Sequence, residues 1–287
     1  MRKSQLIYQY IREQGAVSKQ DIVIGLGLSL PTITQNLNNL AELGLIDTSK
    51  KISNTGGRNA TAYSYIENAR YAVGLYLNRH HINCVAVDLS GNVISLIRVR
   101  ENFDLNDDNY LRKIGETVEE VKKDTDLPDD RFLGVGIAVQ GLISDDGERV
   151  TYGLTLNFTG VTRADIAKYI PYHNRLFHDS AAAGYAEVWD RNDLDDAFYL
   201  SLSNSVGGAV IVANKIFEGE RRKSGEIGHM TIIPKAGDRC YCGQRGCFDT
   251  VCRANVLAEY ADGDLEKFFE LLETKDLGAR RHWNRYL

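Results

Sequence analysis

Apolar residues recur at helical spacing from the start of the chain: Leu6, Ile7, Tyr10 and Ile11 follow Ser4, a good N-cap, and the run stops at Gly15. A second short helix is predicted behind Ser18, with Ile22 and Val23 inward, ending near Gly25 or Gly27. After a short turn Ser29 caps a third helix, whose first turn holds Pro31, where a missing N–H costs nothing. Its inward positions are Leu30, Ile33, Leu37 and Leu40, and it closes at Gly44. Leu45-Ile46 then starts a strand, Lys50-Lys51 and Asn54-Thr55-Gly56-Gly57-Arg58 make a basic turn, and Tyr63, Tyr65 and Ile66 resume alternation. Three helices and a hairpin with a basic tip form the pattern of a winged helix-turn-helix over residues 1–70.

From Tyr71 the pattern changes. Ala72–Leu75 and Cys84–Val87 read as strands, and Gly91-Asn92 turns the chain into Val93–Ile97. An amphipathic helix runs from Leu111 to Lys123 and is ended by Pro128, before a glycine-spaced strand at Phe132–Val139. Asp179–Trp189 reads as a small-residue helix, Ala197–Leu202 and Ala209–Ala213 as strands, and Val251–Leu272 as largely helical. Alternating strands and helices make this part α/β.

The third helix turns Thr32, Thr34, Gln35, Asn36, Asn38 and Asn39 outward. Uncharged donors and acceptors on one short helix suit base edges and phosphates in a major groove, although an ordinary solvated face would look similar. With Ser29, Thr32, Thr34, Gln35, Asn38 and Asn39 as DNA contacts, Gly57 permits positive φ at the wing tip, where Arg58 reaches a phosphate or narrow minor groove. Charge supports the division: residues 1–70 carry eight Lys and Arg against five Asp and Glu, in a chain of net charge −5. A mildly basic head on an acidic body suits a small contact with duplex DNA and argues against indiscriminate nucleic-acid binding. One such module touches few base pairs, so a homodimer or a dimer of dimers on a palindromic operator is expected. No signal-peptide core and no membrane-spanning run is present, so a soluble cytoplasmic protein is expected.

The five cysteines are a poor disulfide framework, but three cluster as Cys240-Tyr241-Cys242-Gly243-Gln244-Arg245-Gly246-Cys247, preceded by His229. Three thiolates within eight residues, with glycines to fold the backbone around a point, match a tetrahedral Cys₃His zinc site. Four protein ligands leave no open position, so the expected Zn²⁺ is structural. Cys84 and Cys252 read as buried hydrophobes.

Gly225-Glu226-Ile227-Gly228-His229 followed by this cysteine loop resembles the ROK family, which groups sugar-responsive repressors with sugar kinases. A winged helix ahead of the signature resembles its xylose-repressor and N-acetylglucosamine-repressor branch. The resemblance implies an actin-like, ribonuclease H-like fold of two lobes, 71–178 and 179–287, with ligand in a cleft. It also implies a C-terminally incomplete domain, because the chain stops at Trp283-Asn284-Arg285-Tyr286-Leu287 where the family continues.

By the same resemblance the family's kinases carry Asp-x-Gly-Gly-Thr where this chain has Tyr76-Leu77-Asn78-Arg79-His80, and Gly-Thr-Gly where it has Ser203-Asn204-Ser205. With both phosphate loops lost, no phosphoryl-transfer activity is expected. The sugar side is retained in part: Asp179 matches the kinases' general base, and Glu226 and His229 match further sugar contacts, His229 also serving zinc. Gly141 matches a backbone turn at the cleft, while His178 and Asp249 stand where the family has Asn and Glu, altering reach. The plain alternatives are a helix cap for Asp179 and a solvated loop acid for Glu226. The resulting expectation is a DNA-binding regulator, a repressor of carbohydrate genes, controlled by a sugar or sugar derivative. The rival readings are a sugar kinase with a regulatory head and a regulator controlled by a protein partner.

Overall fold

The computed structural model describes residues 3–52, 60–189, 191, 194–235 and 237–287. Contacts divide the chain into two compact units, one of residues 1–72, 86–94 and 126–133 and the other of the remainder.

In the first unit α1 (Lys3–Gln14), α2 (Lys19–Leu26) and α3 (Leu30–Glu42) enclose Ile7, Ile11, Ile22, Ile33, Leu37 and Leu40, all buried. Ser4 lies inside α1 and so is not the expected N-cap. Leu30 is 54% exposed, because a first-turn residue of α3 projects beyond the three-helix core. Ser18 does cap α2: its hydroxyl accepts from the Asp21 amide, and the Asp21 carboxylate accepts from the Ser18 amide at 2.8 Å. This reciprocal box satisfies two orphan donors of the helix end. Ser18→Ala is expected to cost about 0.5–2 kcal/mol, read from denaturant melts of the first unit's helical signal.

Four short strands follow, β1 (Ile46–Asp47), β2 (Lys51–Ile52), β3 (Ala60–Thr61) and β4 (Ser64–Tyr65). They pair antiparallel as β1 with β4 and β2 with β3, and Val17 bridges Tyr63. The expected basic wing tip with Gly57 and Arg58 falls in residues 53–59, outside the described residues.

Residues 71–178 contain β5 (Tyr71–Leu77), β6 (His81–Asp88), β7 (Val93–Arg100), α4 (Asp108–Asp124), β8 (Phe132–Val139), the hairpin β9 (Leu142–Ile143) and β10 (Val150–Tyr152), α5 (Arg163–Ile166) and β11 (Asn174–His178). Five of these strands form one sheet in the order β11-β8-β5-β6-β7, with β8 and β11 parallel. Strict alternation of buried and half-buried positions along β5 fits a sheet packed on one face. α4 lays Ile114, Val118 and Val121, each fully buried, along its inner stripe.

Further on, α6 (Asp179–Val188) packs on the antiparallel sheet of β12 (Ala197–Leu202), β13 (Val206–Val212) and β14 (Lys215–Ile216), burying Val188, Ala209 and Ile211. β13 starts three residues before the predicted strand because the apolar run is preceded by Val206-Gly207-Gly208, all in register with β12. The helical C-terminal stretch is broken into α7 (Phe248–Cys252), α8 (Ala254–Ala258), α9 (Leu265–Glu273) and α10 (Leu277–Tyr286). The break after α8 falls at Asp262, left-handed at φ 60°, and Gly263, before Asp264 caps α9. Cys84 is fully buried as expected, whereas Cys252 is only half-buried, its Sγ 3.9 Å from the Tyr286 carbonyl. Among the described residues no helix is long and apolar enough to cross a membrane.

Candidate functional site

The outward row of α3 divides in two. Gln35, Asn38 and Asn39 are exposed, while Thr32, Thr34 and Asn36 are half-buried. Asn36 is used locally, its Nδ2 donating to the Thr32 carbonyl at 2.7 Å. Ser29 stands at the N-cap of α3, but its hydroxyl meets Thr32 Oγ1 at 2.9 Å and no backbone amide. What remains for a partner is therefore an amide row, Gln35, Asn38 and Asn39, each able to donate and accept at once.

In the second unit the loop after β14 delivers a second constellation. A 3-10 turn at Ile227–His229 places the His229 ring beside the cysteine loop. The ligand atoms of His229, Cys240, Cys242 and Cys247 all lie within 4.8 Å of one another. Cys240 Sγ is 3.6 Å from His229 Nδ1, and Cys242 Sγ is 3.7 Å from Cys247 Sγ. A tetrahedral zinc with Zn–S of about 2.3 Å and Zn–N of about 2.0–2.1 Å requires edges of about 3.5–3.8 Å, which these two distances match, and the donor set suits that ion. Burial pushes the Cys247 thiol up to about 12, and a cation's charge is what would hold it as a thiolate. The loop closes on itself through the Cys240 amide to the Gln244 carbonyl at 2.8 Å. At Gly246 φ is +70° and a Cβ would collide with the Ile233 carbonyl, so glycine is required there.

Next to this cluster is an open cleft. Gly141, His178, Asp179, Glu226 and His229, all expected at a ligand site, line it together. At Gly141 a Cβ would sit 2.8 Å from the Tyr152 carbonyl, which is why the strand end at β8 can turn so tightly. His178 Nε2 lies 3.6 Å from Asp179 Oδ1 and 3.7 Å from Glu226 Oε1, so the ring stands between two carboxylates. His229 turns Nδ1 to the cysteines and Nε2 to Glu226 Oε2 at 3.8 Å. Burial raises the Asp179 carboxyl above its ordinary value, with His178 and the Ser180 amide pulling it back. Tyr76 is pushed up to about 12 by burial, with the Asp179 charge adding, so its phenol is a neutral donor in the cleft.

Asp249 departs from expectation. It does not line the cleft; it is 1% exposed and its Oδ1 accepts from the Val206 amide at 2.7 Å, anchoring the start of β13. One methylene shorter than the family's Glu, it stops at the backbone. Conversely, Gln140, Tyr152, Thr155, Ser180, Ser201 and Tyr241 also line the cleft. Tyr152 and Thr155 belong to a hairpin region that hydrophobic periodicity does not reveal, whereas Ser180 and Tyr241 are chain neighbours of residues already singled out.

A profile described as ROK family matches residues 72–287. The chain belongs to the ROK family. The xylose repressor of Bacillus subtilis (strain 168) is 25% identical over 267 residues, covering 88% of this chain. The chain spans 66% of that repressor's length. Among solved structures, a ROK family transcriptional regulator homologous to the Escherichia coli MLC protein superposes with TM-score 0.71 at 22% identity, covering 91% of this chain and 68% of its own. The ROK hexokinase from Thermus thermophilus gives 0.58 at 23% identity, covering 75% of this chain and 73% of its own. These likenesses establish the fold as α/β, N-terminal helices ahead of an actin-like ROK domain carrying the family's Cys₃His zinc motif.

Proposed function

We propose that this ROK protein is a sequence-specific DNA-binding transcriptional regulator, acting as a repressor, whose operator affinity is set by a sugar or sugar derivative in the cleft. The carrying observation is the exposed amide row of α3, Gln35, Asn38 and Asn39, on a helix whose other face is fixed in a core. Residues 1–70 would be the winged operator-reading domain, with 71–178 and 179–287 as the two lobes. Paired copies on a palindrome would supply the specificity one module lacks. A ligand held by Gly141, His178, Asp179, Glu226 and His229 would act through its differential affinity for DNA-competent and DNA-incompetent states. The names of the B. subtilis repressor and of the superposed regulator agree with this reading.

Fluorescence anisotropy with the protein's own promoter region against random duplex, at moderate salt, tests the reading. Gln35→Ala should raise the dissociation constant for the operator by about 5–150-fold if it makes a good bidentate base contact, with little change on random DNA. Equal affinity for promoter and random duplex would remove the proposal.

The hexokinase likeness favours a second reading, phosphoryl transfer. Against it, the turn after β5 is closed by its own side chain: Asn78 Oδ1 accepts from the amides of His80 and His81 at 3.0 and 2.9 Å. The Ser203 amide likewise points to the Ser205 carbonyl at 3.4 Å. These contacts occupy amides that a phosphate-cradling turn would leave free, which supports the regulator reading. A coupled ADP-release assay with a sugar panel decides between the two.

A further inference from the structure

We infer that two copies of this chain pair edge to edge through β12, antiparallel about a two-fold axis at Leu200, joining their two sheets into one. β12 is an edge strand, because the sheet order is β12-β13-β14. The direction of its main-chain groups follows from the register. The Val210 carbonyl accepts from the Phe217 amide at 2.8 Å, so Val210 turns toward β14. Its neighbours Ala209 and Ile211 therefore turn toward β12, where they stand opposite Tyr199 and Ala197. The amides and carbonyls of Phe198, Leu200 and Leu202 are left pointing away from β13, and no bond to them occurs among the described residues.

Strand edges are ordinarily guarded by charge, proline or a bulge. β12 has none of these: it reads Ala197-Phe198-Tyr199-Leu200-Ser201-Leu202 and follows β13 in unbroken register. One face of it lies against α6, where a Cβ on Gly184 would sit 3.0 Å from the Tyr199 Cβ. The other face presents Phe198, Leu200 and Leu202, which are 56%, 41% and 44% exposed.

A second copy of the same strand answers all of these features. With the two Leu200 residues opposite each other, Phe198 of each copy faces Leu202 of the other, and the outward amides and carbonyls close in hydrogen-bonded pairs. On the exposed face the side chains then meet apolar against apolar, Phe198 with Leu202 and Leu200 with Leu200. Charge agrees with this register. Asp196, just before β12, runs toward the second copy's Asn204 turn and away from its own counterpart, so a chain of net charge −5 meets itself along a neutral strip. One strand edge is small beside a standard interface of about 800 Å² per partner, so the dimer is a weak one. Ser201 lines the cleft from the same strand, so the pairing edge and the cleft share β12.

Sedimentation velocity on the full 287-residue chain, between about 1 and 100 µM, tests this. The average mass should rise from that of one chain toward that of two. Leu200→Lys and Leu200→Glu, each at an exposed position, should hold the chain monomeric throughout, because each sets like charges directly opposite across the axis. Mixed in equal amounts the two variants should associate again, Lys against Glu, which also excludes misfolding as the cause of the loss. Val212→Lys, on the same sheet face but in β13, should associate like the unaltered chain. A chain that stays monomeric, a dimer untouched by Leu200→Lys, or a mixture that fails to associate overturns the pairing. Loss of the dimer in Val212→Lys overturns it as well, since the sheets would then meet face to face and not edge to edge.

Discussion

Replacing Cys247 by serine is expected to remove zinc from the chain and to lower its melting temperature by on the order of 10 °C. Cys247 is fully buried, its sulfur stands 3.7 Å from that of Cys242, and it is the N-cap residue of α7. Structural zinc contributes an apparent 10–16 kcal/mol in isolated small sites. Even a quarter of that lost from this domain, at about 2–4 °C per kcal/mol, gives the stated shift. Elemental analysis of the purified variant and calorimetry with and without a chelator measure the two effects. Cys252→Ser is the matched control: its half-buried thiol lies outside the cluster and should leave one zinc per chain. Full zinc content and an unchanged transition in the Cys247 variant would refute the assignment of this ligand.

Leu37→Ala should be the most damaging change in the first unit. Leu37 is 1% exposed in a small core that, among the described residues, comprises eight buried side chains, Ile7, Ile11, Val17, Ile22, Ile33, Leu37, Leu40 and Ile46. Removing a buried leucine side chain costs about 2–5 kcal/mol, a large share of what so small a core supplies. The expected result is an early melting phase assigned to residues 1–72, with the second unit's transition in place, and loss of operator binding at temperatures above that phase. Gln35→Ala, exposed on the same helix, should leave the melt unchanged while weakening the operator complex. Coincident effects of the two substitutions on stability would mean that α3 serves packing alone.

Much of this was legible from spacing. The helix behind Ser18 and the strands at Phe132–Val139 and Ala197–Leu202 follow from periodicity and caps, which are local properties. The zinc cluster was legible because its ligands lie within a short loop plus one histidine. What the sequence hid depends on distance in the chain. The β9–β10 hairpin is too short to show a period, yet it brings Tyr152 to the cleft. Leu30 is apolar and at the right spacing, but only the arrangement of α1 and α2 leaves it outside. The family pattern placed Asp249 at the ligand, and the length of one side chain reassigned it to the Val206 amide.

That reassignment links two things the sequence lists separately. Asp249 follows Cys247 by two residues, so the metal loop and the first residue of β13 are joined by a short tether, and Ser205 beside it lines the cleft. On the proposed reading of the cleft, the metal would reach the effector through this tether: a chain stripped of its ion should relax there and lose any response to sugar before it loses its overall shape.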